Sequence, residues 1–379
     1  MTPELEEARQ REAAGLDSEI LEAIGRGWED PLDESGFDVL ARAVFAHQFR
    51  FNPVYRQFCL LQGVSAPADV DHWRQIPSVP TGAFKVGRWA TFPDELERVA
   101  FRTSGTTSAA RGVHRFETLA LYNAAIVSSA RRYLVPDRER IRCLFLSPEP
   151  RAAPDSSLVH MFAVFREALG APGTMFLPAG GGSAEETGAA VATALDRLTR
   201  DGGAVLIAGA ALAFHHALSG SWGQRQLPHG SRVMVTGGFK GQRTGIDPGS
   251  LADSIERRLG VARDFQAAEY GMTELSTQYY DARLRRALGM DEADPARGFV
   301  VPPWARVRIV EPTDGRDVRE GEEGAIVHYD LANRGSAIAL QTSDLGARLG
   351  PLAFELRGRE PGAEARGCSL AADLWLGGA

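Results

Sequence analysis

Apolar residues fall at two different spacings along this chain, and the change of spacing marks its organisation. Between residues 17 and 62 they recur every three or four positions, through Phe37, Leu40, Ala41, Val44 and Phe45, then Tyr55, Phe58 and Leu61. That spacing lines one face of a helix and predicts helical structure. A connector punctuated by proline follows at residues 76–84. From 140 to 270, short apolar runs alternate with stretches of helical length. Residues 142–146, 174–177, 204–208, 232–236 and 264–267 read as strands, and 158–169, 184–199 and 250–259 as helices. Alternating strand and helix predict a layered α/β fold, with a mostly parallel sheet covered by helices.

Beyond about residue 300 the texture changes. Residues 305–310, 324–329 and 337–340 read as short strands separated by turns, which predicts a smaller antiparallel β subdomain. The expected organisation is one large domain over 1–355, with a helical lead-in at 1–95, an α/β core at 96–300 and a β-rich part at 301–355. A short tail, 356–379, follows.

Composition narrows the function classes. A chain of 379 residues, 44% hydrophobic and 24% charged, is ordinary for a soluble globular protein. A net charge of -7 and the lack of a basic stripe argue against nucleic acid as a partner. The N-terminus, Met1-Thr2-Pro3-Glu4-Leu5-Glu6-Glu7, is acidic and has no apolar signal region. The most apolar run, 204–218, is interrupted by His215-His216 and is too short to span a bilayer. A cytoplasmic location is expected. Cys59, Cys143 and Cys368 are too widely spaced for a disulfide framework or a zinc site. Gly180-Gly181-Gly182 could cradle phosphate, but Ser183 and Glu186 directly after it form a capping-box pattern, so it reads as a loop into a helix.

Residues 103–113 carry the densest candidate chemistry. Thr103, Ser104, Thr106 and Thr107 offer hydroxyl donors, and Gly105 lets backbone amides turn toward one point. Arg111 can add charge-assisted hydrogen bonds. Such a loop suits phosphate oxygens; the same composition also suits a solvated turn. Two later segments bear on that choice, Tyr270-Gly271-Met272-Thr273-Glu274 and Thr342-Ser343-Asp344-Leu345-Gly346. The three segments, in this order over about 240 residues, resemble the core motifs of acyl-adenylate-forming enzymes. A narrower resemblance runs along nearly the whole chain. Ile76-Pro77-Ser78-Val79-Pro80 with Phe84-Lys85, Asp155-Ser156-Ser157-Leu158, Gly237-Gly238-Phe239-Lys240-Gly241 and the tail from Gly358-Arg359 to Arg366-Gly367-Cys368-Ser369 are similar to the acyl-protein synthetases, the long-chain fatty acid–luciferin-component ligases.

The resemblance implies a specific chemistry. ATP and a carboxylic acid, possibly a fatty acid as in that family, would react to an acyl-adenylate with release of pyrophosphate. The acyl group would pass to Cys368 and then to a partner, a reductase or carrier protein; the alternative is direct transfer to coenzyme A, a carrier-protein thiol or an amine. A nucleotide-binding subunit without catalysis is the non-enzymatic alternative. Thr103, Ser104, Gly105, Thr106, Thr107 and Arg111 would hold phosphate, with Arg111 standing where the superfamily has lysine and Ser108 where it has glycine. Thr273 would bond the α-phosphate, and Glu274 would hold Mg²⁺. Tyr270, Gly271, Gly237 and Gly238 would flank the nucleotide. Asp344 would take the ribose hydroxyls, and Arg359 is a nucleotide contact or a surface ion-pair residue. Cys368, beside Arg366, would be the nucleophile. Full-length adenylating enzymes carry a further C-terminal domain with a catalytic lysine; here, as in the acyl-protein synthetases, that domain is expected to be missing.

Overall fold

The computed structural model describes residues 2–103, 111–179, 182–221, 223–237, 247–290 and 295–360. Contacts group the chain into two units, Met1–Ser128 with Met272–Thr277 and Val301–Ala379, and Ser129–Gly271 with Gln278–Val300.

The first unit opens with three helices, α1 (Pro3–Arg26), α2 (Glu34–Phe51) and α3 (Pro53–Leu61). Apolar periodicity begins only at residue 17, yet α1 begins at Pro3. Its first turns are polar and show no stripe. What starts it is a cap: Thr2 Oγ1 accepts from Leu5 N at 3.3 Å, with proline and acidic residues in the first turn. The α2 stripe is buried as the spacing predicts, with Phe37, Ala41, Val44 and Phe45 at 0% exposure. A short strand β1 (Val79–Pro80) leads to an antiparallel hairpin of β2 (Val99–Arg102) and β3 (Val113–Phe116). Helix α4 (Ala120–Tyr133) then carries the chain into the second unit.

That second unit follows the alternating pattern. Its order is β4 (Arg142–Leu146), α5 (Ser157–Ala168), β5 (Met175–Phe176), α6 (Ala184–Leu198), β6 (Val205–Ala210), α7 (Ala211–Ser219), β7 (Arg232–Thr236), α8 (Pro248–Leu259), β8 (Gln266–Tyr270), β9 (Tyr279–Asp281), α9 (Arg283–Ala287) and β10 (Phe299–Val300). The strands lie in the order β10-β9-β8-β7-β6-β4-β5. Pairing is parallel from β5 to β8 and antiparallel at β8–β9 and β9–β10. Alternate side chains of β4, β6 and β7, including Leu144, Leu146, Val205, Ile207 and Val233, pack against apolar faces of α6, α7 and α8. Helix α6 starts with the capping box read from Ser183 and Glu186. The strand expected at 264–267 begins later, because Arg263–Phe265 forms a 3₁₀ turn and the ladder to β7 starts at Gln266.

Back in the first unit, β11 (Ala305–Val310), β12 (Gly324–Asp330), β13 (Ala339–Arg348) and β14 (Ala353–Arg359) form an antiparallel sheet, with β1 added parallel to β13. The strand expected at 337–340 in fact runs on through Thr342, Ser343 and Asp344. Ladder bonds to β12 on one side and β14 on the other outweigh the weak strand preference of Ser and Asp. Among the described residues, no helix is long and apolar enough to cross a membrane.

Buried charge fastens the N-terminal helices within this unit. Arg9, at 0% exposure, bridges Glu6 and Glu117, each at 2.8 Å. Arg334 bridges Asp17 at 2.7 Å and Glu117 at 3.5 Å. Removing one member of such a set strands a buried charge. Beside this cluster His47 is fully buried, against Phe51, and neither ring nitrogen finds a hydrogen bond among the described residues. Glu12 Oε1 stands 3.6 Å from its Nδ1. Burial, aided by the guanidiniums of Arg334, Arg9 and Arg50, pushes this imidazole down to about 3 from its ordinary 6.5.

A pH dependence follows. The unfolded chain takes up a proton at His47 near its ordinary value, and the folded chain resists it. The stability conferred by a neutral His47 is therefore complete above about pH 6.5 and is lost as pH falls toward 3. His47→Phe keeps an aromatic ring beside Phe51 and removes the titration. Below about pH 6.5 its stability should fall less steeply than wild type's, by about 1.4 kcal/mol per pH unit. Urea denaturation across that range checks this, and parallel pH profiles would contradict it.

Candidate functional site

The first unit holds most of the expected phosphate and ribose residues that are described. Strands β2 and β3 flank the hydroxyl-rich loop and close its base. Thr103 N donates to Gly112 O at 2.9 Å, and Gly112 N donates to Thr103 Oγ1 at 2.9 Å. Thr103 therefore uses its hydroxyl as an acceptor within the loop. Exposed Arg111 folds back over the same base, with Nε donating to Thr103 O at 2.6 Å and Nη2 to Arg102 O at 3.2 Å. Ser104, Gly105, Thr106 and Thr107 lie outside the described residues, as do Gly238 and Cys368.

From β3, His114 reaches the second motif. Its Nδ1 lies 2.8 Å from Thr273 O, across 159 positions of sequence. Since a carbonyl only accepts, the ring proton must sit on Nδ1. Burial pushes this imidazole down to about 4, against the opposing pull of that carbonyl. The next residue is tethered too, with Asn333 Nδ2 donating to Glu274 O at 2.9 Å. The buried carboxylate of Asp330, at the end of β12, then accepts from Ser276 N at 3.0 Å and Thr277 Oγ1 at 2.8 Å. Trp304 Nε1 donates to Thr277 Oγ1 at 2.9 Å. The backbone of residues 273–277 is thus held from outside, while Thr273 and Glu274 are half-buried.

Asp344 and Arg359 face one another across the β13–β14 ladder. Arg359 Nε lies 3.7 Å from Asp344 Oδ1, an ion pair too long for a hydrogen bond, with one-third of the arginine side chain exposed. A partly solvated pair of this kind contributes at most about 1 kcal/mol. Asp344 is the more enclosed of the two, its side chain 14% exposed, and Arg359 Nε is buried with no hydrogen bond among the described residues.

In the second unit, Gly237 and Tyr270 follow one another around the C-terminal ends of the parallel strands β7 and β8, whose last register pair is Thr236–Glu269. Loops at such strand ends are the usual ligand side of an open parallel sheet. Thr236 Oγ1 donates to the Glu269 carboxylate, and a Cβ on Gly271 would meet Glu269 Oε1 at 2.6 Å, so a larger residue there would require that carboxylate to shift. Tyr270 is only 7% exposed, its ring 6.1 Å from Tyr279 and 5.7 Å from Phe299. The ring expected to flank the nucleotide is mostly engaged in packing. Gly237 borders a cleft of about 210 Å³ whose lining includes Val235, Leu251, Ile255, Ala268 and Arg283. Cys59 and Cys143 are buried thiols, and burial pushes both up to about 12. Among the described residues, no group of three or more His, Cys, Asp or Glu side chains could hold a metal ion.

His114, Asp330 and Asn333 carry no motif signal, and only Asp330 adjoins a run read as a strand, 324–329. The one cue is Asp330-Leu-Ala-Asn333-Arg334-Gly335-Ser336, a run dense in polar side chains between two apolar strands.

Solved structures share this fold. An open conformation of 2-hydroxyisobutyryl-CoA ligase in complex with 2-HIB-AMP and CoA matches with a TM-score of 0.60 at 14% identity, over 87% of this chain and 71% of that one. The same ligase in its postadenylation state with 2-HIB-AMP matches with a TM-score of 0.61 at 15% identity, over 87% and 69%. ATP-bound MatB from Rhodopseudomonas palustris matches at 0.47 and 13% identity, and the chain spans 47% of its length. No family model and no curated protein matches the sequence. At these identities the likeness establishes the architecture alone, a mixed α/β fold shared with that ligase.

The position of Gly237 generates a prediction. Its φ is +64°, a left-handed conformation, and a Cβ there would meet no atom of the described residues within 4 Å. Gly237→Ala should therefore lose about 1–2 kcal/mol of stability from backbone strain alone. Denaturant titration measures it, and an unchanged midpoint would show that the turn after β7 does not need this conformation.

Proposed function

We propose that this protein is an ATP-dependent, AMP-forming carboxylic acid ligase that passes its acyl group to a thiol. The observation that carries the reading is the hydrogen bond from His114 to the Thr273 carbonyl. It joins the strand leaving the hydroxyl-rich loop to the Tyr-Gly-x-Thr-Glu segment. Two stretches far apart in sequence, each suited to phosphate, are thereby held in one unit. The shared fold of ligases solved with bound acyl-adenylate supports the same reading.

A carboxylate is a poor acyl donor because oxide would have to leave. One of its oxygens attacks the α-phosphorus of ATP, the new O–P bond forms, and the bond to pyrophosphate breaks. Two anions must approach, so the protein has to aim donors and positive charge at the phosphate. Thr103, Ser104, Gly105, Thr106, Thr107 and Arg111 suit that task, with Thr273 on the α-phosphate. Glu274 offers a hard carboxylate oxygen of the kind Mg²⁺ takes alongside substrate phosphates and water. Bound there, Mg²⁺ would neutralise phosphate charge. Asp344 would accept from the ribose hydroxyls, and Arg359, its ion-pair partner, would steady it. Gly237, Gly238, Tyr270 and Gly271 would border the nucleotide.

Cys368 is the proposed acceptor. Its thiolate attacks the acyl carbonyl, the C–S bond forms, and the C–O bond to phosphate breaks with AMP leaving. The other two thiols are buried with raised pKa values, which makes them poor nucleophiles. Hydrolysis-prone thioesters are normally passed on, so a reductase or carrier protein is the proposed partner, in the cytoplasm.

Two experiments test this function. With ATP, Mg²⁺, a suitable acid and hydroxylamine, the wild-type protein should form the acyl hydroxamate. Glu274→Ala should lose about a hundredfold in that rate while its melting temperature stays put; an undiminished rate would remove Glu274 from the chemistry. With labelled acid and no hydroxylamine, label should remain on the protein after denaturation. Cys368→Ser should lose the thioester label yet still make the hydroxamate. If the serine variant keeps the full label, another residue accepts. If it makes thioester on free coenzyme A at the wild-type rate, the acceptor is soluble.

A further inference from the structure

Thr273 and Glu274 are read as reaching phosphate and metal with their side chains, so something else must fix their backbone. We infer that His114 and Asn333 are positioning residues for this pair, holding its two consecutive main-chain carbonyls in a fixed orientation. The inference rests on the adenylation reading above.

Four observations support it. The two bonds, 2.8 Å from His114 to Thr273 O and 2.9 Å from Asn333 to Glu274 O, fall on adjacent peptide units. Both donors are buried, each at 1% exposure, where such bonds are not exchanged for water. Each donor is itself held. The His114 ring packs 4.2 Å from the Phe116 ring and 5.9 Å from that of Phe84. Asn333 Nδ2 also donates to Ala337 O at 3.2 Å, and Gln48 Nε2 of α2 donates to Asn333 O at 2.9 Å. Finally, Asp330 fastens Ser276 and Thr277 just downstream. A short segment is thus tied at residues 273, 274, 276 and 277, and residues 273 and 274 are half-buried.

The consequence is geometric. Losing one carbonyl tether lets a peptide plane turn and carries the attached side chain with it. A displacement of about 1 Å at a reacting phosphate is enough to cost about a hundredfold in rate. His114 and Asn333 act only through Thr273 and Glu274. Burial keeps His114 neutral at physiological pH, with its one ring proton committed to the tether.

The test separates donation from packing. His114→Phe keeps the ring between its aromatic neighbours and removes the donor. His114→Asn gives up the ring and returns an N–H donor near the place of Nδ1. MgATP and adenosine affinities are measured by calorimetry, and hydroxamate formation alongside. His114→Phe should weaken MgATP binding about fivefold and slow hydroxamate formation more, with His114→Asn closer to wild type in both. Adenosine, which lacks phosphate, should bind all variants equally. Asn333→Leu should behave like His114→Phe; if it does not fold, the His114 pair decides. The reverse order, with His114→Phe unaffected and His114→Asn impaired, makes His114 a packing residue and overturns the inference. So does an equal loss of MgATP and adenosine affinity. A wild-type protein that binds MgATP but makes no hydroxamate with any acid overturns the adenylation reading instead, and the binding comparison still decides the tether.

Discussion

One buried carboxylate organises the region around the candidate site. Asp330, at 0% exposure, collects Ser276 N, Thr277 Oγ1 and Ala332 N on its two oxygens. A carboxylate with so little water around it is costly unless its lone pairs are met by donors, and burial pushes this one up to about 6 despite them. That cost is accepted where it ties three stretches together. The 276–277 segment, the end of β12 and the Ala332–Arg334 turn converge on it, and Trp304 joins through Thr277. The turn in turn presents Asn333 to Glu274 and Arg334 to the ion cluster that fastens α1. Polar burial of this density specifies one arrangement of the chain rather than adding stability.

The second unit obeys a different constraint. Parallel strands need crossover helices, and crossovers put every strand's C-terminal end on one edge. Gly237 and Tyr270 fall at that edge because Gly237 follows β7 and Tyr270 ends β8, not because of any property of their own. What their identities add is local. Gly237 supplies a left-handed turn, and Gly271 leaves room for the Glu269 carboxylate.

Much of this was legible in the sequence. Alternating apolar runs gave the α/β layer, and β4, β7 and β11 begin and end where the apolar runs do. Polar starts and polar strands were the failures. The first turns of α1 have no apolar stripe, and β13 runs through Thr342-Ser343-Asp344 because two neighbouring strands pair with it. Thr273 and Glu274 could be named from their motif, whereas His114 and Asn333 could not. Their contribution is a hydrogen bond to a backbone carbonyl, and any sequence supplies that acceptor. The distance in sequence between donor and acceptor, 159 positions for His114 and 59 for Asn333, is set by the fold alone.

In the proposed function these groups serve transfer of AMP to a carboxylate. Isotope exchange between pyrophosphate and ATP tests it most directly, because exchange requires the adenylate to form and revert. Labelled pyrophosphate is incubated with ATP, Mg²⁺ and the protein across a panel of carboxylic acids. Adenylate formation predicts label in ATP that depends on the acid, is strong for at least one of them, and is absent without acid. A protein that binds MgATP yet exchanges no label with any acid, or that releases phosphate and ADP instead, would contradict it.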